Sequence, residues 1–528
     1  MTGNAFPTHF LDRAFSLYPR KEGIVCGDQR FTYHEFGERV SRQSHALAAL
    51  GVRQGDRVAY LGANCHRLLE AYYGVVQMGA ILLPLNIRLT PKDFLFILND
   101  AEVSTLLVER AMADLIEPIR SRAATLKHLV LLGEGRTDLD GSDYEQILAA
   151  APDHPFPRPE MGEDDTAEIF YTSGTTGNPK GVMLTNRNLY ANAMNYIWAS
   201  QLTDADVQLH TVPLFHVNGW GTPHAVTGTG GKHVMIRSFV PQQVFELVQR
   251  ERVTLCAMVP TMINVLVNSP DLPNYDFSSV RRLVSGGAPT PWALAREASE
   301  KLGVEFVVGY GLTETSPVLT MSLLKSELKH LPPEEQAKIQ VKTGLPVIGC
   351  AVKVVREDGH EVHHDGEEVG EIVARGDNVM KGYWRRPEET AETLRGGWLH
   401  TGDLATVDGN GYINIVDRGK DIIISGGENI SSVEVEDALY EHPAVLEAAV
   451  IAKPDPRWGE VVHAIVVLRP GATATEQQII EHARGRLAHF KAPKGVDIVE
   501  SLPKTGTGKV QKNVLREQYW TGYERRVH

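Results

Sequence analysis

The run Thr172-Ser173-Gly174-Thr175-Thr176-Gly177-Asn178-Pro179-Lys180-Gly181 is the stretch of this chain best suited to hold an anion. It follows the apolar residues Ile169-Phe170-Tyr171, so it reads as a strand entering a hydroxyl-rich loop. Glycines let backbone N–H groups approach an anion, hydroxyls add donors and lysine adds charge. The residues do not fit the G-x-x-x-x-G-K-[ST] pattern of a Walker A loop. A plain surface turn has the same composition, so the loop alone does not decide. Six further strings accompany it: Pro213-Leu214-Phe215-His216, Ser285-Gly286-Gly287-Ala288-Pro289, Gly309-Tyr310-Gly311-Leu312-Thr313-Glu314-Thr315, His400-Thr401-Gly402-Asp403, Asp417-Arg418-Gly419-Lys420-Asp421 and Pro503-Lys504-Thr505-Gly506-Thr507-Gly508-Lys509.

The elements that must carry these strings alternate. Arg57 to Leu61 predicts a strand, Cys65 to Met78 a helix closed by Gly79, and Ala80 to Leu83 a strand. The rhythm returns at Val253 to Val259, where Pro260 opens a helix as its first residue. It returns at Leu283 to Ser285, ahead of a helix from Pro291 to Leu302 with Thr290 as its cap, and at Val304 to Val308. Such repetition predicts an α/β fold with parallel-rich sheets, whose ligands lie beyond the carboxyl ends of strands. Between Gly344 and Ile415 short glycine-punctuated strands predict a small β subdomain. After Asp417 come a helix at Val433 to Tyr440, strands at Leu446 to Ile451 and Val461 to Leu468, and a helix at Glu476 to Leu487. These predict a small α+β C-terminal domain, residues 418–528, set against a large N-terminal domain, residues 1–417.

The chain has 528 residues, 42% of them apolar, which is too long for one core and too apolar for disorder. A net charge of −13 argues against a nucleic-acid partner. Cys26, Cys65, Cys256 and Cys350 lie far apart and read as reduced thiols of a cytoplasmic protein. No apolar run is long enough to span a bilayer, and no signal peptide is visible. Peripheral membrane contact and a homodimer both stay open.

Taken in order, the seven strings resemble the AMP-forming acyl-CoA synthetases, from about Phe31 to Tyr519. Phe215-His216-Val217-Asn218-Gly219-Trp220 and Gly426-Gly427-Glu428-Asn429 make the resemblance strongest to the fatty-acyl-CoA synthetases. It implies two steps: a carboxylate attacks the α-phosphate of ATP, and the thiol of coenzyme A then displaces AMP. It also implies a set of roles. Thr172, Ser173, Gly174, Thr175, Thr176 and Lys180 would hold the terminal phosphates. Glu314, assisted by Thr172, would hold Mg²⁺, an ion that needs few protein oxygens. Tyr310 would lie against adenine and the Gly287-Ala288 backbone would line its edge, Gly309, Gly311 and Thr313 would also bind the nucleotide, Asp403 would accept the ribose hydroxyls, and Arg418 would reach ribose or α-phosphate. Lys509 would be the principal catalytic cation. Lys420 would be a hinge, letting a mobile small domain present first Lys509 and then a thiolation face of Gly426, Gly427, Glu428 and Trp458. His216, Val217, Gly219, Trp220 and Gly311 would shape the acyl site, with His216 also a candidate base. Each residue has a plainer reading: Glu314 and Asp403 as loop carboxylates, Tyr310 and Trp458 as packing, Lys509 as a surface lysine.

The stretch 215–220 contains no acid to pair with an amino group, which disfavours an amino-acid substrate. A medium- or long-chain fatty acid is the preferred substrate. A short thioether or branched acid, or an aryl acid, comes second. A loader of carrier proteins and a non-catalytic nucleotide sensor are the rival functions. The alternation hypothesis has a direct test. Lys509→Ala should lose adenylate formation by roughly 10²–10³-fold yet still turn supplied acyl adenylate into thioester. Lys420→Pro should do the reverse. Equal losses in both half-reactions would refute the assignment.

Overall fold

The computed structural model describes residues 5–172, 179–419, 421–505 and 508–520. Ser173, Gly174, Thr175, Thr176, Lys420, Gly506 and Thr507 lie outside the described residues.

Two large sheets carry most of the chain. One has nine strands, with parallel Arg282–Gly286, Leu255–Met258, Val207–His210 and Lys232–Met235 near its centre. Glu305–Gly311 continues it in parallel, and Val318–Met321 turns back antiparallel. The other has eight strands, parallel from Thr166–Thr172 through Ile81–Pro84, Arg57–Leu61 and Val103–Glu109 to His128–Leu132. Their centres are built from residues such as Val58, Leu82, Val284 and Val307, all at most 2% exposed. This fits strands covered on both faces by helices. The expected elements at Arg57, Ala80, Leu283 and Val304 are all present, with ends shifted by a few residues.

A four-stranded antiparallel sheet, Cys350–Val355, Gly370–Gly376, Leu399–Val407 and Ile413–Arg418, forms the β subdomain. A last sheet pairs Val445–Asp455 with Gly459–Leu468 and adds Ile423–Ser425, Glu428–Ile430 and Gly495–Ile498. Helices Ser432–Tyr440 and Glu476–Arg484 complete this α+β unit around Ile423, Val435, Val450, Val466 and Ile479.

Two local expectations have different outcomes. Pro260 does open its helix, Pro260–Val267. Thr290 does not cap the next one. That helix starts at Trp292, its N-cap is Pro291 without a side-chain bond, and the Thr290 hydroxyl meets Ser285 Oγ at 2.8 Å. The hydroxyl is drawn inward to satisfy a buried serine, which outweighs the cap. No helix among the described residues is long and apolar enough to cross a membrane.

Candidate active site

The site forms where strands of both large sheets end. Thr172 closes one strand and pairs directly with Lys180, which opens the next. The phosphate-loop residues are therefore bracketed by a hydroxyl and an ammonium on facing strand ends. Lys180 forms an ion pair with Glu389 and lies 5.4 Å from the ring centre of Tyr383. The Tyr383 hydroxyl donates to Glu314 Oε1 at 2.9 Å. Glu314 sits in the short turn Thr313–Thr315, and its carbonyl accepts from Met380 N at 2.8 Å. Tyr383 thus fixes the carboxylate next to the loop lysine. Nothing in the sequence marked Tyr383, because an aromatic in a β-rich stretch reads as core.

Among the described residues no cluster of three acidic, histidine or cysteine side chains is ready to hold a metal. Glu314 is therefore suited to Mg²⁺ only as one ligand beside phosphate oxygens and water, the usual manner of that ion.

Gly309, Tyr310 and Gly311 finish the strand Glu305–Gly311. The Tyr310 hydroxyl donates to Asp403 Oδ2 at 2.7 Å, and Arg418 Nε lies 3.1 Å from Asp403 Oδ1. Burial and the neighbouring carboxylate push the Tyr310 phenol well above its ordinary pKa, so it stays a donor. Asp403 is only 4% exposed, and these partners compensate a charge that would otherwise be costly to bury. Gly311 has no room for a side chain, because a Cβ there would collide with the Pro317 carbonyl.

The loop at Gly286-Gly287-Ala288 faces Trp220. A Cβ on Gly286 would lie 2.8 Å from Gly309 O and 3.1 Å from the indole, so glycine lets the ring approach the backbone closely. Trp220 belongs to a run of left-handed residues: Val217, Asn218, Gly219, Trp220 and Gly221 have φ of 35°, 42°, 52°, 64° and 82°. Val217 and Trp220 carry side chains that resist this region, whereas asparagine tolerates it. Thr222 Oγ1 holds the turn by donating to Gly219 O at 2.7 Å, and Asn218 Nδ2 donates to Glu168 Oε2 at 3.5 Å. Glu168 is fully buried and also meets His224 Nε2 at 3.3 Å. It is thus a carboxylate behind the acyl turn that the local string could not reveal. It is already engaged and has no exposed surface.

His216 precedes this turn. Burial, aided by the nearby Lys509 charge, lowers its pKa to about 4. It is neutral at physiological pH and suited to shaping the site or accepting a hydrogen bond.

Lys509 arrives from the far end of the chain. Its turn is closed by Thr505 N to Lys509 O at 2.7 Å and by a bridge between Lys504 and Val510. Thr261 Oγ1 donates to Gly508 O at 3.3 Å. Val259 lies between the two glycine loops, with methyl groups 3.4 Å from a Cβ position on Gly287 and 3.2 Å from one on Gly508. The lysine turn and the adenine-side loop thus share one contact residue. A cavity of about 370 Å³ adjoins this junction, bordered by Phe215, Arg88, Arg237, Lys504 and Gly508.

Gly426, Gly427, Glu428 and Trp458 gather elsewhere. Ser425 and Glu428 pair across a two-glycine turn, and Gly426 N donates to Trp458 O at 2.9 Å. Trp458 is 45% exposed. No hydrogen bond or ion pair among the described residues joins this corner to Glu314, Asp403 or His216.

The model of the AMP-binding enzyme family matches residues 11–384, and that of the AMP-binding enzyme C-terminal domain matches residues 434–509. The chain is 40% identical to a long-chain-fatty-acid–CoA ligase of Thermus thermophilus, over 98% of both chains. It is 41% identical to a feruloyl-CoA synthase of Amycolatopsis, over 96% of this chain and 98% of the other. Among solved structures, an anthranilate CoA ligase with anthranoyl-AMP bound superposes with a TM-score of 0.90 at 27% identity, over 98% of both. MatB of Rhodopseudomonas palustris, 33% identical, covers 98% of this chain. It gives 0.86 in its ATP-bound crystal and 0.76 in its apo crystal, each matched over its whole length. The fold, the strand-end site and these matches together place the chain in the AMP-binding enzyme family, as an ATP-dependent, AMP-forming acid–CoA ligase.

Proposed function

We propose that this ligase activates a medium- or long-chain fatty acid, and that Lys509 is the cation of the adenylation step. The observation that carries the second claim is the docked lysine turn. A residue from the turn that follows the last sheet is brought against the carboxyl ends of the nine-stranded sheet, close enough for its charge to act on His216. When the acid attacks the α-phosphate, negative charge gathers on both. An ammonium held beside them lowers the barrier most when it is placed before the reaction begins. Thr172 and Lys180 flank the leaving pyrophosphate, Asp403 accepts from ribose, and Arg418 is oriented by Asp403. Glu314, held by Tyr383, is the protein ligand for Mg²⁺, which neutralises phosphate charge when bound.

The second step needs the lysine removed and the thiol of CoA admitted. We place the boundary for that movement near Asp417 to Lys420, which puts residues 418–528 in the moving part. That no hydrogen bond or ion pair among the described residues ties the Gly426–Glu428 corner to Glu314, Asp403 or His216 is consistent with this reading. So is the closer superposition on ATP-bound MatB than on apo MatB.

The fatty-acid reading rests on apolar walls. Val217, Trp220, Val318 and Leu319 are all less than 9% exposed, and each buried methylene contributes about 0.8 kcal/mol. The Thermus relative acts on long-chain fatty acids, and the Amycolatopsis relative is a feruloyl-CoA synthase, so an aryl acid is the second reading.

Two measurements follow. CoA-dependent AMP release across acids from acetate to palmitate, with benzoate and ferulate added, should peak at a medium or long chain. A peak at ferulate or benzoate would replace the fatty-acid reading. The pH profile of kcat/KM should show no inflection near 6.5 from His216, since that ring gains a proton only as pH falls towards about 4. An inflection near 6.5 that disappears in His216→Asn would contradict a neutral His216.

A further inference from the structure

The helix Pro260–Val267 turns Ile263, Leu266 and Val267 into the core. Thr261, Asn264 and the C-cap residue Asn268 follow the spacing i, i+3, i+7 and share another face. Each touches a different segment of the last α+β unit. Thr261 Oγ1 donates to Gly508 O at 3.3 Å. Asn264 Nδ2 donates to Leu446 O at 3.0 Å. Asn268 Oδ1 accepts from Arg469 Nη1. Asn268 Nδ2 also donates to Asn264 Oδ1 at 2.7 Å, which fixes which end of the Asn264 amide faces Leu446.

The three recipients form one structure. Val445 pairs with Leu468, so Leu446 and Arg469 lie at the same end of the long hairpin. The next residue, Glu447, binds Lys504 at 2.6 Å, and Lys504 bridges Val510 to close the turn that bears Lys509. The helix therefore grips both the catalytic turn and the sheet end that supports it. Asn264 is 7% exposed, and a buried amide needs its partners. In another orientation of the α+β unit these groups would face water, which would satisfy them. The bonds therefore favour this arrangement by the modest net strength of each.

We propose that Thr261, Asn264 and Asn268 form a docking strip that selects the adenylation orientation, acting as positioning residues for Lys509. This rests on the reading of Lys509 given above. The test is to measure both half-reactions in Thr261→Val, Asn264→Ala, Asn268→Ala and the triple variant. Acid-dependent ATP–pyrophosphate exchange reports adenylation, and conversion of supplied acyl adenylate reports thioester formation. Exchange should fall about ten-fold in Asn264→Ala and further in the triple variant, as expected for lost hydrogen bonds. Thioester formation should stay within about two-fold, and Thr261→Ser should keep exchange near the parent rate.

Equal losses in both half-reactions would mean a merely structural role, and unchanged exchange would mean an incidental contact. Either overturns the proposal. Lys509→Ala, assayed alongside, separates the two levels. If it retains exchange, the lysine assignment falls and the strip's role with it. If it loses exchange while the strip variants do not, the strip alone is refuted.

Discussion

Asp403 ties the site together. One carboxylate oxygen receives the Tyr310 hydroxyl from the end of the nine-stranded sheet, and the other faces Arg418 at the end of the β subdomain. Arg418 also begins the segment that leads into the last α+β unit. The position of that unit relative to the nucleotide side is therefore referred to one nearly buried charge. A carboxylate at 4% exposure persists only with well-placed partners, so its need for compensation fixes three pieces of chain at once. Other contacts fix the remaining candidate groups: Tyr383 holds Glu314, Thr172 pairs with Lys180, and Trp220 lies against Gly286 and Gly287.

The lysine turn obeys a different constraint. A cation fixed permanently in the core would suit adenylation but would block the approach of a thiol. The turn is instead held by single hydrogen bonds, from Thr261 to Gly508 O and from Arg88 to Thr505 O, while Asn264 holds the neighbouring hairpin at Leu446. Contacts of this kind are each modest in net strength, because water replaces them when they break. A docking that is specific in geometry and weak in energy suits an enzyme with two successive tasks. The acyl turn has the opposite character. Val217, Asn218 and Trp220 hold left-handed backbone that only buried partners such as Glu168 and Thr222 can sustain.

Much of this was legible in the sequence, for physical reasons. Parallel strands buried on both faces leave apolar runs, and their carboxyl ends need glycines where backbone meets ligand, so the strings at Ser285 and Gly309 announced their places. Pro260 at a helix start was readable because proline lacks a donor only where none is needed. Thr290 misled because a hydroxyl before a helix is a good cap unless a buried serine claims it. Glu168 and Tyr383 were silent because their partners are distant in sequence. Thr261, Asn264 and Asn268 looked like ordinary polar helix positions, since nothing local says that another sheet will rest on them. The string 425–428 was legible as a glycine turn, but the bond from Gly426 N to Trp458 O was not.

A disulfide trap is the most direct test of the central claim, that Lys509 works only while its turn is docked on the helix Pro260–Val267. A Cβ at position 508 would lie 2.7 Å from Thr261 Oγ1, so a Thr261→Cys, Gly508→Cys pair brings two thiols into contact, at the cost of backbone strain at position 508, whose φ is 84°. Oxidised, this variant should catalyse ATP–pyrophosphate exchange but form no thioester, and reduction should restore thioester formation. Full turnover to acyl-CoA with the disulfide intact would contradict the account.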